Sequence, residues 1–145
     1  MKIVLQRVNH ASCTVDGVCT GEINQGYLLL VGFTEGDNID AINKAAKKIS
    51  NLRIFEDENG KMNLNIHQVQ GSILSISQFT LYASTNDGNR PSFTNALNPV
   101  YAKPLYLKFN ESLREFGLTV KEGIFGADMK IELLNDGPCT IIFDF

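Results

Sequence analysis

The chain has 145 residues, of which 43% are hydrophobic and 20% are charged, a balance typical of one globular domain with its own core. We therefore predict a single domain over residues 1–145. No apolar run approaches the roughly 20 residues of a membrane-spanning helix, and the start of the chain is too weakly apolar for a secretory signal. These features predict a cytoplasmic protein with no membrane partner.

The charge and the cysteines argue against other classes of protein. The net charge of −3 and the pI of about 5.3 give no general support for nucleic-acid binding, which usually leaves a basic footprint. The three cysteines, Cys13, Cys19 and Cys139, form no CxxC pair, and an odd count argues against a disulfide framework or a zinc site. We expect free and mostly buried thiols.

The first half of the chain predicts strands followed by one helix. Residues 2–8 and 26–34 form apolar runs typical of strands, and Asp16-Gly17 suits the positive φ of a hairpin turn. Asp37 is placed to cap a helix, because apolar residues then recur at helical spacing. These residues are Ile39, Ile42, Ala46, Ile49 and Leu52. Residues 53–66 predict two short strands around a turn at Asn59-Gly60.

The second half predicts another apolar strand over residues 72–84, a polar loop over 84–92, and a helix over about 98–116. Gly117 is a plausible C-cap, whereas Pro104 means that the helix either starts nearby or kinks. One helix face carries Tyr101, Leu105, Phe109, Leu113 and Phe116. Strand-like segments at 118–125, 129–135 and 139–145 complete an α+β pattern, with Asn135-Asp136-Gly137-Pro138 between the last two.

Ser77, Gln78 and Thr80 place polar groups within the apolar strand and raise the question of catalysis. A neutral hydroxyl needs an adjacent base to act as a nucleophile, and the only histidines, His10 and His67, have no supporting motif. The sequence also has no phosphate-binding glycine loop and no metal-ligand spacing. We predict no metal and no cofactor, and Thr80 stays open between a nucleophile and an ordinary strand residue.

Two backbone devices remain as candidate chemistry. The N–H groups near Gln78 and Phe79 could hold an oxyanion, and one such donor can change a rate by about 10²–10³. Gly137-Pro138 could present carbonyl groups in a fixed direction. Neither device identifies a function by itself.

Both of these segments match signatures of one known family. Residues 77–81 read SQFTL, and residues 135–138 read NDGP, followed by Thr140. Three other motifs and a longer stretch also match: Gln6-Arg7-Val8, residues 53–65, Arg90-Pro91-Ser92-Phe93 and Gly126-Ala127-Asp128-Met129. Over essentially its whole length, the chain resembles the D-aminoacyl-tRNA deacylases.

The resemblance implies a single α+β domain with a mostly antiparallel, barrel-like sheet and two main helices, assembled as a two-fold homodimer with its active site at the interface. It implies cleavage of the ester between a D-amino acid and the terminal adenosine of tRNA, with glycyl-tRNA as a further substrate, in tRNA quality control and recycling. The implied catalytic residues are Gln78, Phe79 and Thr80. The implied substrate-binding residues are Ser77, Gly137, Pro138, Arg7 and Met129.

The resemblance also implies how L-aminoacyl-tRNA is rejected. A Gly137-cisPro138 pair, braced by Arg7, would reach into the partner subunit's pocket. Its two carbonyls would accept from the α-ammonium of a D isomer and leave no room for an L side chain, which is specificity by exclusion. The terminal 2′-OH of tRNA would assist the attacking water, in which case Thr80 is not the nucleophile.

Two other functions remain open on the sequence alone. One is a dimeric, non-catalytic binding module for RNA or an amino-acid-like ligand, although both intact signatures argue against it. The other is an esterase of free esters that depends on Thr80. If the chain is a deacylase, binding of the tRNA acceptor stem would need a local basic patch on the protein. The affinity for tRNA would then fall steeply as the salt concentration rises. The candidates for that patch are Arg53, Lys61, Arg90, Lys103, Lys108 and Lys130.

Overall fold

A computed structural model describes the whole chain, Met1–Phe145, as eight strands, two α-helices and one short 3₁₀ helix. The strands are β1 (Lys2–Val15), β2 (Val18–Ile23), β3 (Gly26–Gly32), β4 (Phe55–Glu56), β5 (Met62–Leu64), β6 (Ser72–Ser77), β7 (Thr119–Glu122) and β8 (Lys130–Asp144). The helices are α1 (Ile39–Asn51), α2 (Pro99–Glu115) and the 3₁₀ helix Phe79–Tyr82.

The central strand is β1, which is twice as long as the sequence predicted. On one edge its first half pairs antiparallel with β3 and its second half pairs antiparallel with β2. On its other edge it pairs with β8 along most of its length. The predicted turn between β1 and β2 is confirmed, since Asp16 and Gly17 both have positive φ, at 49° and 77°.

Two strand pairs in the main sheet are parallel, which the sequence analysis did not anticipate. β6 runs parallel to β3, and β7 runs parallel to β6, because α1 and α2 supply the long crossovers that parallel neighbours need. The other three pairs of this sheet are antiparallel, as is the separate β4–β5 pair. A Cβ on Gly21 of β2 would lie 3.0 Å from the Glu122 carbonyl oxygen of β7, so the sheet nearly closes into a barrel.

The two helices form where predicted, with differences at their ends. The side chain of Asn38, not Asp37, caps α1 by accepting a hydrogen bond from the Ala41 N–H at 3.1 Å. Asp37 instead pairs with the N-terminal ammonium group and accepts the Thr34 N–H. Asn38 is the better placed side chain because it directly precedes the first helical residue.

The helix α2 begins at Pro99 and passes through Pro104, which is exposed and lies within its first turns. The predicted face is only partly correct: Phe109 and Leu113 are buried, whereas Tyr101 and Phe116 are exposed. The C-cap is Phe116, one residue before the predicted Gly117; Gly117 follows it with a φ of 82° and donates its N–H to the Arg114 carbonyl. Neither helix has the length and apolar character that crossing a membrane requires.

The core has two parts that the sheet separates. A larger cluster of 21 buried residues joins one sheet face to both helices, which pack against each other. A smaller cluster of eight buried residues fills the inside of the curled sheet, and it includes Cys13, Leu28 and Ile76. All three cysteines are free; Cys13 is buried, Cys139 is half-buried and Cys19 is exposed.

Candidate active site

The predicted strand over residues 72–84 ends early, at Ser77. After Gln78, whose N–H donates to the Val31 carbonyl at 2.8 Å, the backbone turns into the 3₁₀ helix Phe79–Tyr82. The change of direction explains the polar residues in this apolar sequence, because residues 77–80, which we call the SQFT segment, lie at the end of a buried strand rather than within one. Phe79 is 55% exposed there.

Ser77, Gln78 and Phe79 of the SQFT segment form the floor of a cleft of about 650 Å³, within the size range of small-molecule sites. The cleft is mostly apolar, with Ser77 and Gln78 among its few polar groups. One wall comes from the loop before α2 and from the start of that helix, including Phe93, Leu97 and Pro99. Phe93 packs edge-on against Phe79 with ring centroids 5.1 Å apart.

The opposite wall is the segment that joins β7 to β8. Its residues Phe125 to Met129 all line the cleft, and the Ala127 N–H closes a turn onto the Ile124 carbonyl at 3.1 Å. Asp128 lies at the rim, where it pairs with Lys130 at 2.9 Å. Of the predicted site residues, the structure thus brings Ser77, Gln78, Phe79 and Met129 together around one cleft.

The hydroxyl of Thr80 has an amide for a partner rather than a base. The Gln78 side-chain amide donates a hydrogen bond to the Thr80 Oγ, and an amide cannot take up the proton of a nucleophilic hydroxyl. The two histidines lie elsewhere: His10 pairs with Glu22 at 3.0 Å, and neither His10 nor His67 lines the cleft. The contacts of Thr80 therefore give it no activated hydroxyl.

The far end of the 3₁₀ helix is held by Tyr82 and Lys2. The Lys2 ammonium lies 5.0 Å from the centroid of the Tyr82 ring and donates to the Leu81 carbonyl at 3.5 Å. Burial, assisted by the nearby carboxylates of Asp37 and Asp144, raises the pKa of Tyr82 to about 12. The phenol is therefore neutral at physiological pH and acts there as a packing group rather than as a base.

The NDGP signature lies inside β8 rather than between two strands, contrary to the sequence prediction. Thr140 pairs with Gln6, and Asn135 pairs with Val8, so four residues of β8 stand opposite the single residue Arg7. We call these residues, 136–139, the β8 bulge; such insertions bend a strand and change the direction of its groups. The Gly137–Pro138 peptide bond at its centre is cis, and Gly137 has a φ of 120°.

Arg7 fills the space beneath the β8 bulge. Its side chain is only 5% exposed. The guanidinium donates to the carbonyl of Asp136 at 3.1 Å, pairs with the Asp136 carboxylate at 3.2 Å, and donates to the Ile54 carbonyl. A Cβ on Gly137 would lie 3.0 Å from the Arg7 Nη2. The guanidinium therefore holds the backbone of the bulge from below.

The predicted site residues fall into two separate groups in one protomer. Thr80, predicted as a catalytic residue, follows the cleft residues Ser77, Gln78 and Phe79 but does not itself line the cleft. Arg7, Gly137 and Pro138 do not line it either; Arg7 and Asp136 instead border a smaller hollow of about 190 Å³. β8 pairs with β1 only, so the bulge lies on a strand whose other edge has no partner in this chain. No group of three or more His, Cys, Asp or Glu side chains is placed to hold a metal ion.

Two of the six residues suggested for a basic patch are already paired. Lys108 binds Glu111 at 2.8 Å and Glu115 at 3.5 Å, and the carboxylate contacts raise the pKa of Lys108. Lys130 is the partner of Asp128 at the cleft rim. Arg53 donates to the Asn63 carbonyl. Lys108 and Lys130 therefore have their charges balanced by carboxylates of this chain.

The sequence analysis assigned no role to several residues that build the cleft. Phe93 and Gly126 were part of matching motifs, which was the only signal available for them. Gly32 and Phe125 line the cleft as well, and their neighbours come from distant parts of the chain. No local pattern could therefore have identified them.

Comparisons with known proteins agree on one family. The family model described as D-Tyr-tRNA(Tyr) deacylase matches residues 4–144. A D-aminoacyl-tRNA deacylase of Bifidobacterium animalis subsp. lactis is 56% identical over 99% of this chain and 96% of its own length. A D-aminoacyl-tRNA deacylase of Lactobacillus delbrueckii subsp. bulgaricus is 56% identical over 99% of both chains.

Solved structures agree on the fold. The c-Myc DNA unwinding element binding protein is 40% identical with a TM-score of 0.92, covering 100% of this chain and 99% of its own. A probable eukaryotic D-amino acid tRNA deacylase is 17% identical with a TM-score of 0.86, covering 99% and 98%, and it shows the fold alone. The chain belongs to the D-Tyr-tRNA(Tyr) deacylase family.

Proposed function

We propose that this member of the deacylase family hydrolyses the ester that joins a D-amino acid, or a mischarged glycine, to the terminal adenosine of tRNA. The recycled tRNA would then return to translation. The observation that carries the proposal is the SQFT segment at the floor of an apolar cleft. It is supported by relatives named D-aminoacyl-tRNA deacylase that are 56% identical to this chain. The substrate would enter with its aminoacyl-adenosine end, since the cleft is too small for a helical stem.

Catalysis would come from backbone groups and from the substrate. The first N–H groups of a helix have no acceptor within it, which leaves those of Phe79 and Thr80 at the start of the 3₁₀ helix to bind a developing oxyanion. Such a donor acts most strongly where water is excluded, and a bound aminoacyl-adenosine would cover the exposed rings of Phe79 and Phe93. The 2′-OH beside the ester would orient the attacking water, and Gln78 would hold the segment in place through Thr80.

Chiral discrimination would come from the β8 bulge of a second subunit. In one protomer the cleft lacks Gly137 and Pro138, and the bulge lies on a strand with a free edge. Leu134 and Ile142 of the same strand are 60% and 68% exposed. A long apolar edge strand is normally covered by another structural element or by another chain. A two-fold dimer would cover that edge and bring each bulge to the partner's cleft, since such an interface uses the same surface twice.

Once inside the partner's cleft, the carbonyls of Gly137 and Pro138 would accept from the α-ammonium of a D-aminoacyl group. An L side chain would point at the same carbonyls and be excluded, whereas glycine, without a side chain, would pass. Arg7 supports this role because its hydrogen bond to the Asp136 carbonyl fixes the residue before the pair. The role of Arg7 would be bracing, not contact with the reacting ester.

The proposal is tested by comparing D-tyrosyl-tRNA, L-tyrosyl-tRNA and glycyl-tRNA, all with the enzyme well below the substrate concentration. We expect multiple turnovers on the D ester, slower cleavage of the glycyl ester and no cleavage of the L ester. A terminal adenosine without its 2′-OH should be a poor substrate. Equal cleavage of D and L esters would reject the chiral filter, and a folded protein that cleaves none of them would reject the deacylase function.

A further inference from the structure

Gly123, directly after β7, occupies a position where its conformation does not require glycine. Its N–H donates to the Ser75 carbonyl at 3.3 Å, which continues the ladder between β6 and β7. Its φ lies outside the positive region that favours glycine. An alanine could therefore adopt the backbone conformation of this residue without strain, and the reason for a glycine must lie in the surrounding space.

The space around Gly123 is filled on the side where a side chain would point. A Cβ there would overlap the Sδ of Met129, and it would lie 3.1 Å from the Ile76 Cδ1 and 3.3 Å from the Cys13 Sγ. Ile76 and Cys13 are buried in the smaller core cluster and can shift only slightly, because interiors are close-packed; their contacts with the new Cβ need no more than that. Met129 is half-buried, flexible, and borders the open cleft.

We propose that Gly123 is a positioning residue for Met129: the missing side chain lets the Met129 thioether lie back against β6 and β7 and leaves the cleft open. A methyl group at residue 123 pushes the thioether away from the packed side and towards the cleft that Met129 lines. The inference rests on the proposed function where it concerns activity, since Met129 lines the cleft that would hold the aminoacyl-adenosine.

The activity test uses Gly123→Ala and Met129→Ala, singly and together, with D-tyrosyl-tRNA as substrate. We expect Gly123→Ala to lower kcat/KM by about ten- to a hundredfold, because small misplacements in a site cost rates of this order. In the Met129→Ala background the same change should cost less than about twofold, since the overlapping sulfur is gone. Equal losses in both backgrounds, or no loss in the wild-type background, would overturn the proposal.

A second measurement follows Met129 without any substrate. The chain has three methionines, so a protein labelled with ¹³C at the methionine methyl groups gives three signals. Gly123→Ala should shift the Met129 signal and leave those of Met1 and Met62 in place. Gly71→Ala is the matched control, because its Cβ would meet the Ile66 Cγ1 at 2.9 Å, away from the cleft; it should shift none of the three.

The two measurements separate the positioning role from the proposed function. If the wild-type protein cleaves no aminoacyl-tRNA, the proposed function fails, and the Met129 signal still decides the role of Gly123. An unmoved Met129 signal in the folded variant would overturn that role. If Gly123→Ala alone does not fold, the double variant should fold, because its overlap is removed; a double variant that also fails to fold would overturn the role too.

Discussion

The SQFT segment and the β8 bulge each interrupt a strand, yet they produce opposite surroundings. The SQFT segment ends β6 and opens onto a cleft with aromatic and apolar walls. The bulge stays within β8, on a free edge, above the buried guanidinium of Arg7. The cleft at the SQFT segment has space for a substrate but does not contain the carbonyls of Gly137 and Pro138. The β8 bulge carries those carbonyls and has only a small hollow beside it.

The difference suggests how two motifs of the sequence share one task. A segment that only has to hold a substrate can be built within one chain, around its own cavity. A filter that has to close over the substrate can be carried on an exposed edge and supplied by a second copy. Substitutions beneath the bulge and substitutions beneath the SQFT segment should therefore have separable effects on stability, on kcat and on the D-over-L preference.

The largest effect on stability is expected from Arg7→Ala, which removes the support of the bulge. The Asp136 carboxylate and the carbonyls of Asp136 and Ile54 lose their donor. Breaking a buried pair costs up to about 3–5 kcal/mol, and we expect about 2–3 kcal/mol in urea unfolding because Asp136 is partly exposed. The rate of D-ester cleavage should fall together with the stability.

Arg7→Lys is the matched control for charge. It keeps the positive charge but lacks the planar fork that reaches two partners, so its stability should lie between those of the wild type and Arg7→Ala. An Arg7→Ala protein with wild-type stability and wild-type D-over-L selectivity would show that the guanidinium does not support the bulge.

A smaller effect, confined to the cleft, is expected from Gly32→Ala. Its Cβ would lie 2.9 Å from the carbonyl oxygen of Gln78 and 3.3 Å from the Leu81 Cβ, so the SQFT segment has to move. We expect kcat to fall by about ten- to a hundredfold, with the D-over-L preference retained. Gly71→Ala, with an equally short contact elsewhere, should keep near-normal kcat. A Gly32→Ala enzyme with the wild-type kcat would contradict the view that the close contact between Gly32 and Gln78 positions the SQFT segment.

The smallest effect is expected from Thr80→Ala, with Thr80→Val as a variant of similar volume. Only the hydrogen bond from Gln78 is lost, and such a bond is worth about 1 kcal/mol, or roughly fivefold in kcat. Loss of a true nucleophile costs about 10⁴–10⁶. Single-turnover rates on D-tyrosyl-tRNA distinguish these ranges, and a loss of 10⁴-fold in folded protein would restore Thr80 as the nucleophile.

The sequence predicted the features that depend on neighbours in the chain. The Asp16-Gly17 turn and both helices are local patterns, and they occur where expected. The parallel pairing of β6 with β3 and β7 depends on crossovers of more than thirty residues, which leave no local pattern. The end of β6 at Ser77 was missed because Phe79 and Leu81 continue the apolar alternation.

The candidate site shows the same limit. The resemblance supplied Ser77, Gln78, Phe79 and Met129, and the structure brings them to one cleft. The wall built by Phe125 and the close packing at Gly32 and Gly123 depend on contacts between distant segments. NDGP was expected between two strands because Asp, Gly and Pro are turn residues. It lies within one strand because Arg7 fills the space that the bulge leaves.

The most direct test of the shared site is complementation between two impaired variants. Gly32→Ala damages the cleft, and Gly137→Ala damages the bulge, since Gly137 has positive φ and a Cβ there would press on Arg7. A heterodimer, isolated with two different affinity tags, would combine the intact cleft of one subunit with the intact bulge of the other at one of its two sites. We predict about half of the wild-type rate on D-tyrosyl-tRNA for it, with each parent homodimer at about a tenth of the wild-type rate or less. A heterodimer no more active than its parents would contradict a site shared between subunits.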